Sequence, residues 1–295
     1  MTITKHFKIA HDEFILASSS RTLQRAALYV QGWKNEDDFP SCLYPIVFLE
    51  GFFCDAPDKV LDDAIQVALK CDRFVRSVDN SYDEQDSNVQ HLHEGILDLV
   101  AALEILTQYN SNENRLINEA KSYLEIASSA ELHLHRRRES KVVFDEFDRA
   151  ARLKKNFASL IPFLILTSDP NSSIKMSKII GLMESCIYVS QTIDDLKDLE
   201  QDYSKNQYTE ILSDILSNHQ ISSIEQVKYY AYGEQGKLYV ARALQQLHFR
   251  DQEFSKSPTF KRAERHLERL LEVFTKDATI VEKEIKNIPL IVSWG

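Results

Sequence analysis

Two stretches of this chain concentrate oxygen donors at helical spacing. VDNSYDE, residues 78–84, carries Asp79, Asn80, Asp83 and Glu84, and QTIDDLKDLEQD, residues 191–202, carries Gln191, Asp194, Asp195, Asp198 and Asp202. Gln191, Asp194 or Asp195, Asp198 and Asp202 follow one another in steps of three, four and four, so they share one face of a helix. Asp72, Arg76, Asp79 or Asn80, and Asp83 repeat that relationship in the first stretch. Like charges four residues apart cost a helix a few tenths of a kcal/mol. Either such a face is solvated or a cation offsets the cost. In a chain with 45 acidic residues a single acidic face is ordinarily the solvated kind. Two faces with the same D-x-x-x-D spacing, each after a run of apolar positions (Ala68, Cys71, Val75 and Val78; Met183, Ile187 and Ile193), point to a cation instead. The fitting ion is hard. Mg²⁺ takes oxygen ligands in near-octahedral geometry and keeps waters. Two carboxylate walls with bridging Mg²⁺ could hold a diphosphate and stabilise the charge that develops as it leaves. Lys and Arg would grip the remaining oxygens.

The elements that must position these residues read as helices throughout. Periodicity predicts helices over residues 12–31, 43–54, 58–83, 91–109, 113–138, 144–167, 174–202, 206–217, 222–247 and 258–286. Pro57-Asp58 opens the third of them, and SDPNSS at 168–173 is a clear break. With 7 glycines and 7 prolines and no convincing strand, the expected fold class is all-α. The linkers are short, so residues 1–295 are read as a single-domain helical bundle of about ten helices.

With those residues in view, the sequence resembles the class I isoprenoid synthase superfamily: trans-prenyl diphosphate synthases, squalene/phytoene-type synthases and class I terpene synthases. Asp79, Asn80 and Asp83 in DNSYD resemble the first DDxxD motif of the prenyl diphosphate synthases, with Asn in the second place. Asp194, Asp195 and Asp198 in DDLKD resemble the second motif, and Gln191 the glutamine ahead of it. The head-to-head branch is resembled too, through Cys71, Asp79 and Asp83 in one helix and Asp198 and Asp202 in the other. KNQYTE, 205–210, suits the segment that follows the second motif in either branch, and the likeness covers residues 40–215. It implies a central cavity, three Mg²⁺ with a prenyl diphosphate, and Asp79, Asn80, Asp83, Asp194, Asp195 and Asp198 as metal ligands. The GGKRLRP-like stretch that anchors a second diphosphate in chain-elongating enzymes has no counterpart. FPSCLYP, 39–45, keeps only a final proline, Pro45. The NSE-type second motif of standard terpene synthases is also missing.

Basic residues that would meet the diphosphate are Arg76, Arg137, Arg138 and Lys155, with Gln191 and Asp202 completing the substrate side. RRRESK can also be a solvated turn, and Arg76 can pair with Asp72 or Asp79. Lys155-Asn156 resembles the Lys-Thr pair of these families, and Lys155 is preferred to Lys154. Lys197, inside the second motif, faces either the diphosphate or outward. A carbocation needs a dry, apolar pocket with aromatic faces. Phe52, Phe53, Phe74, Phe157, Phe163 and Tyr188 are the candidates, each reading first as ordinary core.

Composition narrows the field further. The net charge of −10 excludes a general nucleic-acid role. The four cysteines match no zinc or redox spacing, and the two HLH pairs point their rings apart, so a zinc site is not expected. MTITKHFKIAHDEF has no long apolar core and is not expected to be a signal peptide. FASLIPFLILT, 157–167, is too short to span a bilayer and reads as a buried helix. A cytoplasmic protein without stable membrane insertion is expected, and the amphipathic ERHLERLLEVF, 264–274, can pack on the bundle, support a homodimer or touch a membrane carrying lipid product. The leading expectation is Mg²⁺-dependent ionisation of a prenyl diphosphate to a terpene hydrocarbon or alcohol. Chain elongation or head-to-head coupling by a prenyltransferase, and an inactive helical interaction protein, are the alternatives.

Overall fold

The computed structural model describes residues 21–30, 41–53, 55–83, 89–109, 114–140, 144–168, 175–248 and 258–287. Among them every regular element is helical and no strand occurs. The α-helices are α1 (Arg21–Ala26), α2 (Tyr44–Phe48), α3 (Asp58–Asp83), α4 (Val89–Thr107), α5 (Arg115–Ser140), α6 (Glu146–Lys154), α7 (Ile161–Ser168), α8 (Met176–Lys197), α9 (Leu199–Lys205), α10 (Glu210–Asn218), α11 (Ile224–Ala231), α12 (Glu234–His248), α13 (Pro258–Val273) and α14 (Ala278–Lys286). Short 3₁₀ turns flank α2, and another joins α6 to α7 over Lys155–Leu160. The chain folds into two compact units. Of the described residues, one holds those within 1–128 and 156–180 and the other those within 129–155 and 181–287, so the boundaries fall inside α5, in the 3₁₀ turn after α6 and inside α8.

In the first unit α3 packs against both α4 and α7. Leu61, Ala64, Ile65, Ala68 and Cys71 form its buried stripe at steps of three and four. Gly95 lets α4 approach closely, because a Cβ there would stand 1.9 Å from the Ser77 hydroxyl. α7 is apolar on all sides, and Ile161 through Leu166 are all buried, as an apolar helix without a polar face requires. Phe53 and Phe163 meet at 6.0 Å between ring centroids, and Phe157 meets Tyr123 edge-on. All three phenylalanines are core residues. Arg25 clamps α1 to the start of α3 through Asp58 and Asp62, and Arg21 joins Asp58. The Tyr109 hydroxyl donates to Asp63 at 2.5 Å, tying the end of α4 back to α3. Burial raises the Cys71 thiol to about 12, and Cys42, Cys71 and Cys186 are free. No helix among the described residues is long and apolar enough to cross a membrane.

In the second unit α12 packs on α13, with α11 and α10 beside it and α14 on α13. Val227, Ala231, Tyr239, Val240, Ala243, Leu267 and Leu270 fill the core. Gly236 marks the tightest approach. A Cβ there would lie 2.0 Å from the Ala231 carbonyl oxygen and 2.4 Å from the Phe274 ring. Backbone cannot yield as a side chain does, so Gly236→Ala should cost about 1–3 kcal/mol despite alanine's better helix propensity. Thermal unfolding measures it, with Gly51→Ala as the neutral control, since nothing lies within 4 Å of a Cβ at Gly51.

The predicted 58–83 helix coincides with α3. Several others are broken where one run was expected. Residues 144–167 split into α6, the 3₁₀ turn and α7, because Pro162 has no N–H to continue the helix ahead of it. Residues 222–247 split at Tyr232-Gly233, and 258–286 split before Asp277, which caps α14 by accepting from the Thr279 N–H. Of the predicted 43–54 helix the described residues 43–53 form only α2 and 3₁₀ turns, and of 174–202 the described residues 175–202 are divided at Asp198. Most of the predicted 12–31 helix lies outside the described residues.

Candidate functional site

The second acidic stretch lies on α8 and α9, within the second unit. Asp198 is the bend between them, with φ −94° and ψ 6°. Backbone bonds run through it: Asp198 N–H donates to Asp194 at 2.9 Å, and Asp202 N–H to Asp198 at 2.8 Å. The four carboxylates therefore stay on consecutive turns. Asn206, in the left-handed conformation at φ 55°, ends α9 and turns the chain into α10. Asp195 and Asp202 are buried, Asp194 is half-buried and Asp198 is exposed.

α6 supplies the facing arginines. Its start is fixed by a capping box between Asp145 and Asp148. Asp148 also accepts from His133 at 2.8 Å and pairs with Arg137, both from α5. Arg149 and Arg152, three apart on α6, then reach different partners. Arg149 donates twice to Glu210 Oε1, at 3.0 and 2.6 Å. Arg152 grips both oxygens of Asp195, with Nη1 to Oδ2 at 2.8 Å and Nη2 on Oδ1. Gln191 donates to the Arg152 carbonyl at 2.8 Å, so α6 and α8 are held at one residue by side chain and backbone together. Phe144 lies under both guanidiniums, at 5.4 Å from Arg137 and 5.9 Å from Arg152, and its N–H donates to Ser213 of α10.

The electrostatics separate the four aspartates. Burial raises the Asp195 carboxyl against the pull of Arg152. Burial and then Asp198 raise Asp194, opposed by Arg152, Lys197 and Lys155. Burial, Asp195 and Asp198 push Asp202 up to about 7. Burial also lowers the Lys197 ammonium, against Asp194 and Asp198. Among the described residues, none gives Asp194, Asp198 or Asp202 a side-chain hydrogen bond or an ion pair. Asp195 alone has a dedicated cation.

No protein-family model, no curated protein and no solved structure matches the chain. What the site can do therefore follows from its own chemistry.

Of the residues predicted from sequence, the second unit brings together Gln191, Asp194, Asp195, Asp198, Asp202 and, through its field on Asp194, Lys155. Lys154 is exposed. Arg137 is engaged with Asp148 and Phe144. In the first unit Arg76 pairs with Asp72 at 2.8 Å, and burial raises that carboxyl. Asp79, Asn80 and Asp83 form the last turn of α3, and Arg138 lies near the end of α5; the side chains of these four lie outside the described residues. Arg152, Arg149 and Glu210 were not singled out by sequence. The signal that could have found them was the pair of arginines three apart beside a strong helix cap.

A hard cation fits this donor set in part. Among the described residues no group of three or more His, Cys, Asp or Glu converges as a metal cage. Mg²⁺ needs none, because it is usually held by one or two carboxylates with waters and phosphate oxygens. Asp194 and Asp198, one turn apart and without a cation of their own, meet that need.

The Asp202 shift has a thermal consequence in metal-free protein. Its folded carboxyl binds a proton more tightly than the unfolded one, whose value is about 3.9. Between about pH 4 and pH 7 the native state holds more protons, so stability falls as pH rises and the loss is complete above that window. Asp202→Asn should flatten the fall in melting temperature between about pH 4 and pH 7. Parallel slopes for the two proteins would place Asp202 in ordinary solvent.

Proposed function

We propose that the chain is a Mg²⁺-dependent enzyme that ionises a prenyl diphosphate, with loss of diphosphate, to give a terpene hydrocarbon or alcohol. One observation carries this reading. Asp194, Asp198 and Asp202 line one helical face without a cationic partner among the described residues, while Asp195 beside them has its own arginine. Acids left in that state on the surface of a core helix suit a cation that arrives with a ligand.

In this reading Asp194 and Asp198 hold Mg²⁺, and the α3 triad of Asp79, Asn80 and Asp83 is a second cation-binding motif, as the family resemblance implies. Bound Mg²⁺ would draw charge from the departing diphosphate. Lys155 and Lys197, both within the field of Asp194, take diphosphate oxygens as point charges. Arg152 is spent on Asp195 and fixes the wall from which Asp194 and Asp198 project. Gln191 holds the Arg152 backbone in register with α8. Asp202, with its raised carboxyl, keeps a proton near neutral pH and limits the negative charge of the wall until a cation enters. No protein nucleophile is required, since the bond breaks by ionisation.

The test is diphosphate release. Purified protein with Mg²⁺ is given C10, C15 or C20 prenyl diphosphate singly, then with isopentenyl diphosphate, and extracts are identified by mass spectrometry. A hydrocarbon or alcohol from one substrate alone supports the proposal. A longer diphosphate formed only with isopentenyl diphosphate would replace it with a chain-elongating transferase. A coupled product from two identical substrates would replace it with the head-to-head reaction. No turnover of any substrate would overturn it in favour of an inactive helical protein.

A further inference from the structure

We propose that the Ser190 hydroxyl holds the water that captures the carbocation, so that this enzyme releases an alcohol. The inference rests on the ionisation reading above and names its product. Met183, Ile187, Ser190 and Asp194 follow one another on α8 in steps of four, three and four, so they share one face of the helix. Asp198 continues that face at the helix end. Exposure rises along it: Met183, Ile187 and Ser190 are buried, Asp194 is half-buried and Asp198 is exposed. The face thus passes from apolar side chains, through one hydroxyl, to the carboxylates assigned to Mg²⁺. A prenyl diphosphate has its parts in the same order, and its breaking C–O bond lies where the hydrocarbon meets the phosphates. Ser190 stands one turn, about 6 Å, to the apolar side of Asp194. A ligand whose diphosphate is held at Asp194 and Asp198 brings that bond beside Ser190.

The state of the hydroxyl selects its partner. Ser190 is 6% exposed, and its Oγ has no hydrogen-bond partner among the described residues. Ser185 and Thr192, on the same helix, bond back to it: Ser185 donates to the Gly181 carbonyl at 3.2 Å and Thr192 to the Tyr188 carbonyl at 2.9 Å. Ser190 makes no such bond. A buried hydroxyl without a partner is costly, and native proteins ordinarily match one with an ordered water or a ligand. Such a water needs at least two polar contacts. Ser190 Oγ and the Asp194 carboxylate, neighbours one turn apart, each accept one of its hydrogens and leave a lone pair free. As the diphosphate departs, that lone pair forms the new C–O bond to the carbocation. The proton lost from the resulting oxonium passes to the released diphosphate. The apolar side chains deeper on the face exclude bulk water, so the one held water is the nucleophile.

The test reads product identity. Purified full chain with Mg²⁺ and each prenyl diphosphate it turns over is run in water labelled with heavy oxygen, and alcohol and hydrocarbon are quantified by mass spectrometry. The wild type should give mainly an alcohol that carries solvent oxygen. Ser190→Ala should lower the alcohol-to-hydrocarbon ratio at least about tenfold, and Ser190→Thr, which keeps the hydroxyl, should restore it. The ratio is taken among the products formed, so it does not depend on the rate of either variant. Ser190→Ala breaks no hydrogen bond and should melt no lower than the wild type. A purely structural role would move rate or stability and leave the ratio where it was. Diphosphate release with hydrocarbon as the sole product overturns the inference and leaves the ionisation reading standing. So does an alcohol fraction that Ser190→Ala does not change, or one that Ser190→Thr does not restore. An alcohol that keeps the substrate's own oxygen would mean phosphate-ester hydrolysis and overturn both readings, as would the absence of diphosphate release.

Discussion

Asp194→Ala should abolish turnover while leaving the fold intact. Asp194 sits one turn ahead of Asp198 on α8, and burial and the Asp198 charge both raise its carboxyl. It forms no side-chain hydrogen bond or ion pair among the described residues, so its removal strands nothing. A structural role would lower the melting temperature. A cation-binding role predicts the reverse in metal-free protein: relief of repulsion from Asp198, and a midpoint equal to or above that of the wild type. With Mg²⁺ and a prenyl diphosphate the same variant should lose on the order of a hundred- to a thousandfold in diphosphate release, the worth of several kcal/mol of charge stabilisation. Asp83→Ala, at the end of α3, should lose as much. Full activity in either variant would remove that residue from the metal site.

The fold was legible wherever one periodic face was long and uninterrupted. α3 could be read to its ends because Leu61, Ala64, Ile65, Ala68 and Cys71 repeat without a breaker and Asp58 opens the helix. The acidic face of α8 and α9 was legible for the same reason: spacing alone puts Asp194, Asp198 and Asp202 on successive turns, even though the axis bends at Asp198. That bend left no mark on the pattern, since the backbone bonds from Asp198 and Asp202 continue across it. The break ahead of α7 was missed: 144–167 reads as one helix because of the strong apolar run, whereas in the structure the missing N–H of Pro162 prevails over it. Pairing across the chain was not legible. Asp195 and Arg152 are 43 residues apart, and no local rule links them. Nor does spacing distinguish Asp195, which is neutralised, from Asp194, which is not. Both stand in the same dipeptide, and only the direction of α6 separates them.

That distinction sets up the largest stability effect. Arg152→Ala should destabilise the protein by about 3–5 kcal/mol, because it leaves the Asp195 carboxylate buried without its partner. Asp195 is 3% exposed and the Arg152 side chain 16%, so water can replace neither charge. Asp195→Asn should cost a similar amount from the other side, leaving a buried guanidinium over Phe144. Arg152→Lys should recover only part of the loss, since one ammonium cannot serve two carboxylate oxygens as the planar fork does. The decisive variant is the double one. Arg152→Met with Asp195→Leu removes both charges and keeps the volume, so chemical denaturation should show it well above either single variant and near the wild type. If it is no more stable than the single variants, the pair's contribution lies in packing rather than charge. A recovered fold also separates structure from chemistry: the double variant keeps Asp194 and Asp198, and its diphosphate release reports how far the arginine-fixed wall positions them.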